Sequence, residues 1–77
     1  MTAYDIRMAS ICIAKGFKIA HRQGGADAVR EAARRWLQLS EALPGRERRA
    51  SDLILESAFR FADMRDLMEE FFPWAPR

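Results

Sequence analysis

Apolar residues recur along the chain at helical spacing in three segments, separated by two turn signals, Gly24-Gly25 and Pro44-Gly45. In each segment apolar side chains return every three or four residues, the period that places them on one face of an α-helix. Glycine commonly ends a helix, and proline disfavours helix in the residue before it. We therefore predict an all-α fold, either a small three-helix bundle or a helical hairpin with an extra N-terminal helix. The predicted helices span about residues 3–23, 26–43 and 46 or 51 to 72, with an aromatic and proline-rich tail at 73–77.

The N-terminal segment allows two interpretations. As a helix it buries a stripe made of Ile6, Ala9, Ile13, Phe17 and Ala20. As a β-hairpin, residues 10–14 and 17–20 would pair across a turn at Lys15-Gly16. Apolar and polar residues alternate poorly there, so the helix is favoured.

The third segment has an apolar arc that is too wide for one neighbour. Leu55 widens the arc, and Phe59 and Leu67 lie outside it. A helix with that much apolar circumference packs against more than one element. We therefore predict a homodimer with Leu55, Phe59, Leu67, Phe71 and Phe72 in its interface. Ser51-Asp52 is a candidate N-cap, and whether residues 46–50 are helix or loop stays open.

Composition limits the chemistry available to the chain. Its 77 residues are 49% hydrophobic and 31% charged, as expected for one folded domain. One cysteine, Cys12, and one histidine, His21, provide neither a disulfide nor a zinc site, so we expect no metal or cofactor and a reducing, cytoplasmic location. The longest apolar run, residues 11–14, is too short to cross a membrane, so no membrane partner is expected.

A basic strip follows the polar side of the first predicted helix. Its cations are Arg7, Lys15, Lys18 and Arg22, and Tyr4 and Ile11 point outward among them. The strip suits an acidic protein surface or phosphates, with Tyr4 as an aromatic anchor. The alternative is a solvated face whose long side chains cover apolar surface.

A second basic cluster, Arg46, Arg48 and Arg49, stands near a predicted helix start. Cations are unfavourable at that end of the helix dipole, which indicates either a partner contact or an exposed connector. Eleven arginines against two lysines also suggest nucleic-acid binding, although the net charge is only +2.

The tail places Trp74 directly after a helix-ending proline, Pro73. Trp74 either caps the core as a lid or extends as an arm that grips a partner, since an exposed tryptophan usually has a pocket to fill. The lid is slightly favoured.

No catalytic set is recognisable in the sequence. The paired carboxylates lie on a predicted solvated face, and neither Cys12 nor His21 has a catalytic partner at a revealing spacing. We predict a non-enzymatic protein that acts by binding another protein, as a regulator or inhibitor of a host or partner protein. Bacteria, phages and mobile elements encode small regulators of this kind. The alternative is a small basic nucleic-acid-binding protein that uses the basic strip and the Arg46–Arg49 cluster.

Overall fold

The computed structural model describes residues 2–75, and its regular structure is entirely helical. The helices are α1 (Ala3–Glu41), α2 (Gly45–Phe61) and α3 (Arg65–Phe71). The predicted all-α fold is confirmed. The β-hairpin alternative for the N-terminal segment is wrong, because residues 3–24 are helical.

Gly25 divides α1 into an N-terminal arm, residues 3–24, and a second arm, residues 26–41. Its dihedral angles, φ 70° and ψ −166°, lie in a region that is essentially restricted to glycine. A straight helix of the 39 residues in α1 would be about 58 Å long, whereas the longest dimension of the molecule is 32 Å. The helix therefore folds back at Gly25, and the predicted break at Gly24-Gly25 is confirmed.

The first turn of α1 is fixed by a capping box. The Thr2 hydroxyl accepts a hydrogen bond from the Asp5 amide, and the Asp5 carboxylate accepts one from the Thr2 amide, both at 3.1 Å. The hydrogen bond from the Thr2 amide stabilises the ionised carboxylate and is the main reason that the pKa of Asp5 is lowered. The chain thus enters the helix with two of its first amides satisfied.

The start of α2 at Gly45 shows that Arg46–Ala50 are helical. Ser51 and Asp52 lie inside α2, so the N-cap predicted for them is wrong. Instead, Ser51 and Asp52 form hydrogen bonds with the second arm of α1. The Ser51 carbonyl accepts a hydrogen bond from the Trp36 indole at 3.0 Å, and the Asp52 carboxylate accepts one from the Ser40 hydroxyl at 3.1 Å.

The third predicted helix is broken at Asp63, so a continuous helix to Phe72 is wrong. Asp63 adopts a left-handed φ of 58°. The Met64 amide donates to the Phe59 carbonyl at 2.9 Å and the Asp63 amide to the Arg60 carbonyl at 3.1 Å. These two hydrogen bonds form a Schellman motif, which satisfies the last carbonyls of α2 and lets α3 turn back against it.

The core is centred on Phe59, which has no exposed surface. Its ring stacks on Phe17 of the N-terminal arm, with centroids 5.1 Å apart, and on Phe71 of α3, at 5.8 Å. Around this stack lie the buried side chains of Ala14, Val29, Ala33, Leu55, Ala58, Ala62, Leu67, Met68 and Phe72.

The predicted dimer interface is corrected by this packing. Leu55, Phe59, Leu67 and Phe72 are buried within the chain, and Phe71 is half-buried against Phe59. The wide apolar arc meets two neighbours inside the same chain, α1 on one side and the returning α3 on the other. It therefore gives no reason to place a second subunit on these side chains.

Gly25, at the break, and Gly16, inside the N-terminal arm, provide a matched test of the break. Gly25→Ala should lower the free energy of unfolding by about 1–3 kcal/mol, because alanine is strained at this φ and ψ. Gly16→Ala should raise it by about 0.5–1 kcal/mol, because Gly16 is helical and a Cβ there meets open space. Urea unfolding followed by circular dichroism measures both. Equal stability of the two variants would show that the break does not depend on glycine.

The left-handed turn at Asp63 can be tested with two variants that remove the same carboxylate. Asp63→Gly should be more stable than Asp63→Ala by about 1 kcal/mol, since only glycine adopts this φ without a steric penalty. Thermal unfolding of the pair measures the difference. A more stable alanine variant would contradict the Schellman motif.

Candidate functional site

An exposed apolar stripe follows the side of the N-terminal arm that faces away from the core. Tyr4 is 70% exposed, Met8 42% and Ile19 46%. Cys12 and Lys15, also exposed, complete this outer stripe. At 100° per residue, all five fall within an arc of about 80°, opposite the buried Ser10, Ala14 and Phe17.

The basic strip borders the outer stripe along one edge. Arg7, Lys18 and Arg22 are exposed there, and Lys15 lies within the stripe itself. Ile11 is half-buried between the stripe and this edge. The other edge carries Asp5 as its only charged residue within 3–24, and Asp5 is occupied by the capping box. The sequence analysis identified Tyr4 and the cations as contact residues but missed Met8 and Ile19. Their spacing from Tyr4 places all three on one helix face, and this was the signal that could have identified them.

The cations of the basic strip have little to neutralise them inside the chain. Lys15, Lys18 and Arg22 form no ion pair with another residue between 2 and 75. The Arg7 guanidinium lies over the Phe61 ring, 6.0 Å from its centroid. The positive charge of this surface is therefore available to a partner.

Ion pairs occur elsewhere, on the second arm, α2 and α3. Arg30 bonds Glu70 at 3.0 Å and Asp27 at 2.7 Å, and the hydrogen bond with Glu70 is the main reason that the pKa of Arg30 is raised. Two further pairs, each at 3.0 Å, join Arg35 to Glu31 and Arg60 to Glu56.

A shallow groove lies where the basic strip meets the turn between α2 and α3. Its volume is about 480 Å³. Lys18, His21 and Arg22 form one wall, and Ala62, Asp63 and Met64 form the other. The groove therefore carries both positive charge and the negative charge of the Asp63 carboxylate, so the groove is not an extension of the positive surface.

The second basic cluster has a structural role in part. Arg48 donates a 2.7 Å hydrogen bond to the Glu41 carbonyl at the end of α1, where a cation is favoured by the helix dipole. The cluster lies in the first turn of α2, whereas Phe61 and the basic strip are at its other end, about 22 Å along the axis. The structure therefore does not bring the two predicted basic sites together.

A second apolar surface surrounds Trp36. Leu39 is 75% exposed, and Leu43 is also exposed. Beside them lies a cavity of about 430 Å³, lined by Trp36, Leu43, Arg46, Glu47, Ala50, Ser51 and Ile54. The hydrogen bond from Trp36 to Ser51 holds the indole ring at this cavity.

Trp74 does not act as a lid, which corrects the sequence-based preference. Its side chain is 76% exposed and contacts Phe72 edge to face, with ring centroids 5.8 Å apart. Phe72, rather than Trp74, fills the end of the core. Trp74 thus stays an exposed aromatic residue close to α2.

Between residues 2 and 75, no three His, Cys, Asp or Glu side chains lie close enough together to hold a metal ion. Cys12 is exposed. The helices of the described chain include none that could cross a membrane.

Comparisons with protein-family models, curated proteins and solved structures gave no match to this chain.

The exposure of Trp74 can be measured by fluorescence in a Trp36→Phe background, which leaves Trp74 as the only tryptophan. We expect emission close to that of tryptophan in water and efficient quenching by iodide, because the ring is mostly exposed. Blue-shifted emission that is protected from iodide in the dilute protein would contradict this placement and restore the lid.

Proposed function

We propose that this protein is a non-enzymatic protein-binding regulator or inhibitor, and that the outer stripe is its main contact surface. The observation that carries the proposal is the alignment of Tyr4, Met8 and Ile19 on one exposed helix face beside cations with no ion-pair partner. An apolar centre with a charged rim is the usual composition of a protein interface.

The energetics of the stripe suit binding rather than folding. Full burial of a Met or Ile side chain contributes about 1.5–3 kcal/mol. Met8 and Ile19 are already partly buried in the free protein, so a partner that covers them would add only part of that energy. Tyr4 adds an aromatic ring with a hydroxyl that can bond at the rim. Since the arm is a preformed helix, its backbone loses little conformational entropy on binding.

Nucleic-acid binding is the second candidate, and the same cations support it. Lys15, Lys18 and Arg22 are exposed on one helix without ion-pair partners in the described chain. Apolar side chains occupy the centre of this face, however, and Arg48 is already bonded to Glu41. The protein partner is therefore preferred.

An affinity pull-down from a bacterial lysate, with and without nuclease, tests the proposal. Wild type should retain a protein that resists nuclease treatment. Ile19→Ser should reduce its retention at least tenfold, and Leu39→Ser should not. Both substitutions replace an exposed large apolar residue with serine, so Leu39→Ser is the matched control for lost apolar surface.

Both variants should unfold within about 0.5 kcal/mol of wild type, because exposed substitutions seldom affect stability more. Retention that depends on nucleic acid, or that is lost with Leu39→Ser alone, would contradict the assignment of function to the outer stripe.

A further inference from the structure

We infer that the outer stripe receives one amphipathic α-helix of a partner protein, with acidic side chains beside its apolar seam. The inference rests on the proposed function and specifies the partner's contact element.

The shape of the stripe fits a helix. Tyr4 and Ile19 are 15 residues apart on an unbroken arm, so the stripe is about 22 Å long, which corresponds to four turns of a docked helix. The positions 4, 8, 12, 15 and 19 are separated by steps of four, four, three and four residues. From 8 to 19 the steps alternate between four and three, which is the spacing of the seam between two packed helices. Strand addition needs a free sheet edge, and residues 2–75 contain no sheet.

The charges determine the chemistry of the partner. Residues 1–25 contain four cations and one acid, a net charge of +3. Three of the cations border the stripe on one edge, Lys15 lies within it, and the single acid is bonded to Thr2. A helix with Glu or Asp beside its apolar seam would meet opposite charge, whereas a basic helix would be repelled.

A second copy of this chain is a poor occupant of the stripe. Pairing two N-terminal arms would bring two surfaces of net charge +3 together without an acidic counterpart. Two acids on other elements are already paired, Glu56 with Arg60 and Glu70 with Arg30. The repulsion between two such arms therefore favours a foreign acidic helix over the pairing of two outer stripes.

The probe for this inference is a labelled three-heptad peptide with leucine at a and d and glutamate at e and g. A control peptide has lysine at e and g. In fluorescence anisotropy at low salt, the glutamate peptide should bind at least tenfold more tightly than the lysine peptide. Ile19→Ser should weaken its binding about tenfold, whereas Leu39→Ser should leave it unchanged. Lys15→Glu with Lys18→Glu should abolish the preference for the acidic peptide.

Four outcomes would overturn the inference. In the first three, the two peptides bind equally, neither peptide binds, or Ile19→Ser does not change the binding of the acidic peptide. In the fourth, sedimentation shows a particle of twice 8.9 kDa that Ile19→Ser converts to monomer, which makes the occupant a second copy. If the retained lysate protein depends on Ile19 but the peptide does not bind, the inference fails and the proposed function stands. If neither depends on Ile19, both fail.

Discussion

The stack of Phe17, Phe59 and Phe71 joins the N-terminal arm, α2 and α3 through one fully buried side chain. It can form only because the chain reverses at Gly25 and at Asp63, both with positive φ, and also between α1 and α2. Without the first reversal Phe17 would extend away from α2, and without the second Phe71 would continue along the axis of α2. The tertiary structure therefore depends on these reversals and on the two ring contacts of Phe59, which join the elements on either side of them.

The exposed surface is a consequence of this small core. A chain of 77 residues buries only about 60–65% of the surface of its unfolded form. The N-terminal arm has neighbours on one side only, so its outer side faces solvent whatever residues it carries. Single exposed apolar residues are normal in proteins, and Leu53 and Phe61 need no functional explanation. The outer stripe differs because its members share one face and lie beside unneutralised cations.

The sequence predicted the breaks that glycine and proline mark, at Gly24-Gly25 and Pro44-Gly45, and with them the helical class. It did not predict the break at Asp63, because aspartate only weakly favours a left-handed turn and the apolar spacing continues through it. Because of that omission, Phe59 and its neighbours were assigned to a dimer interface, although they pack within the chain. Met8 and Ile19 were missed for another reason, since apolar residues surround the N-terminal arm and hydrophobicity alone does not determine which side is buried.

The inner side of the N-terminal arm combines one large side chain with small ones. Phe17 is buried against Phe59, and beside it the small Ser10 and Ala14 allow close approach, while Ile6 and Ile13 are only half-buried. The Ser10 hydroxyl donates to the Ile6 carbonyl at 2.6 Å, so its burial leaves no unsatisfied polar atom. Tyr4, Met8 and Ile19 lie on the opposite, outer side. Folding and recognition then use opposite faces of the same helix, so the recognition face can change while the core stays intact.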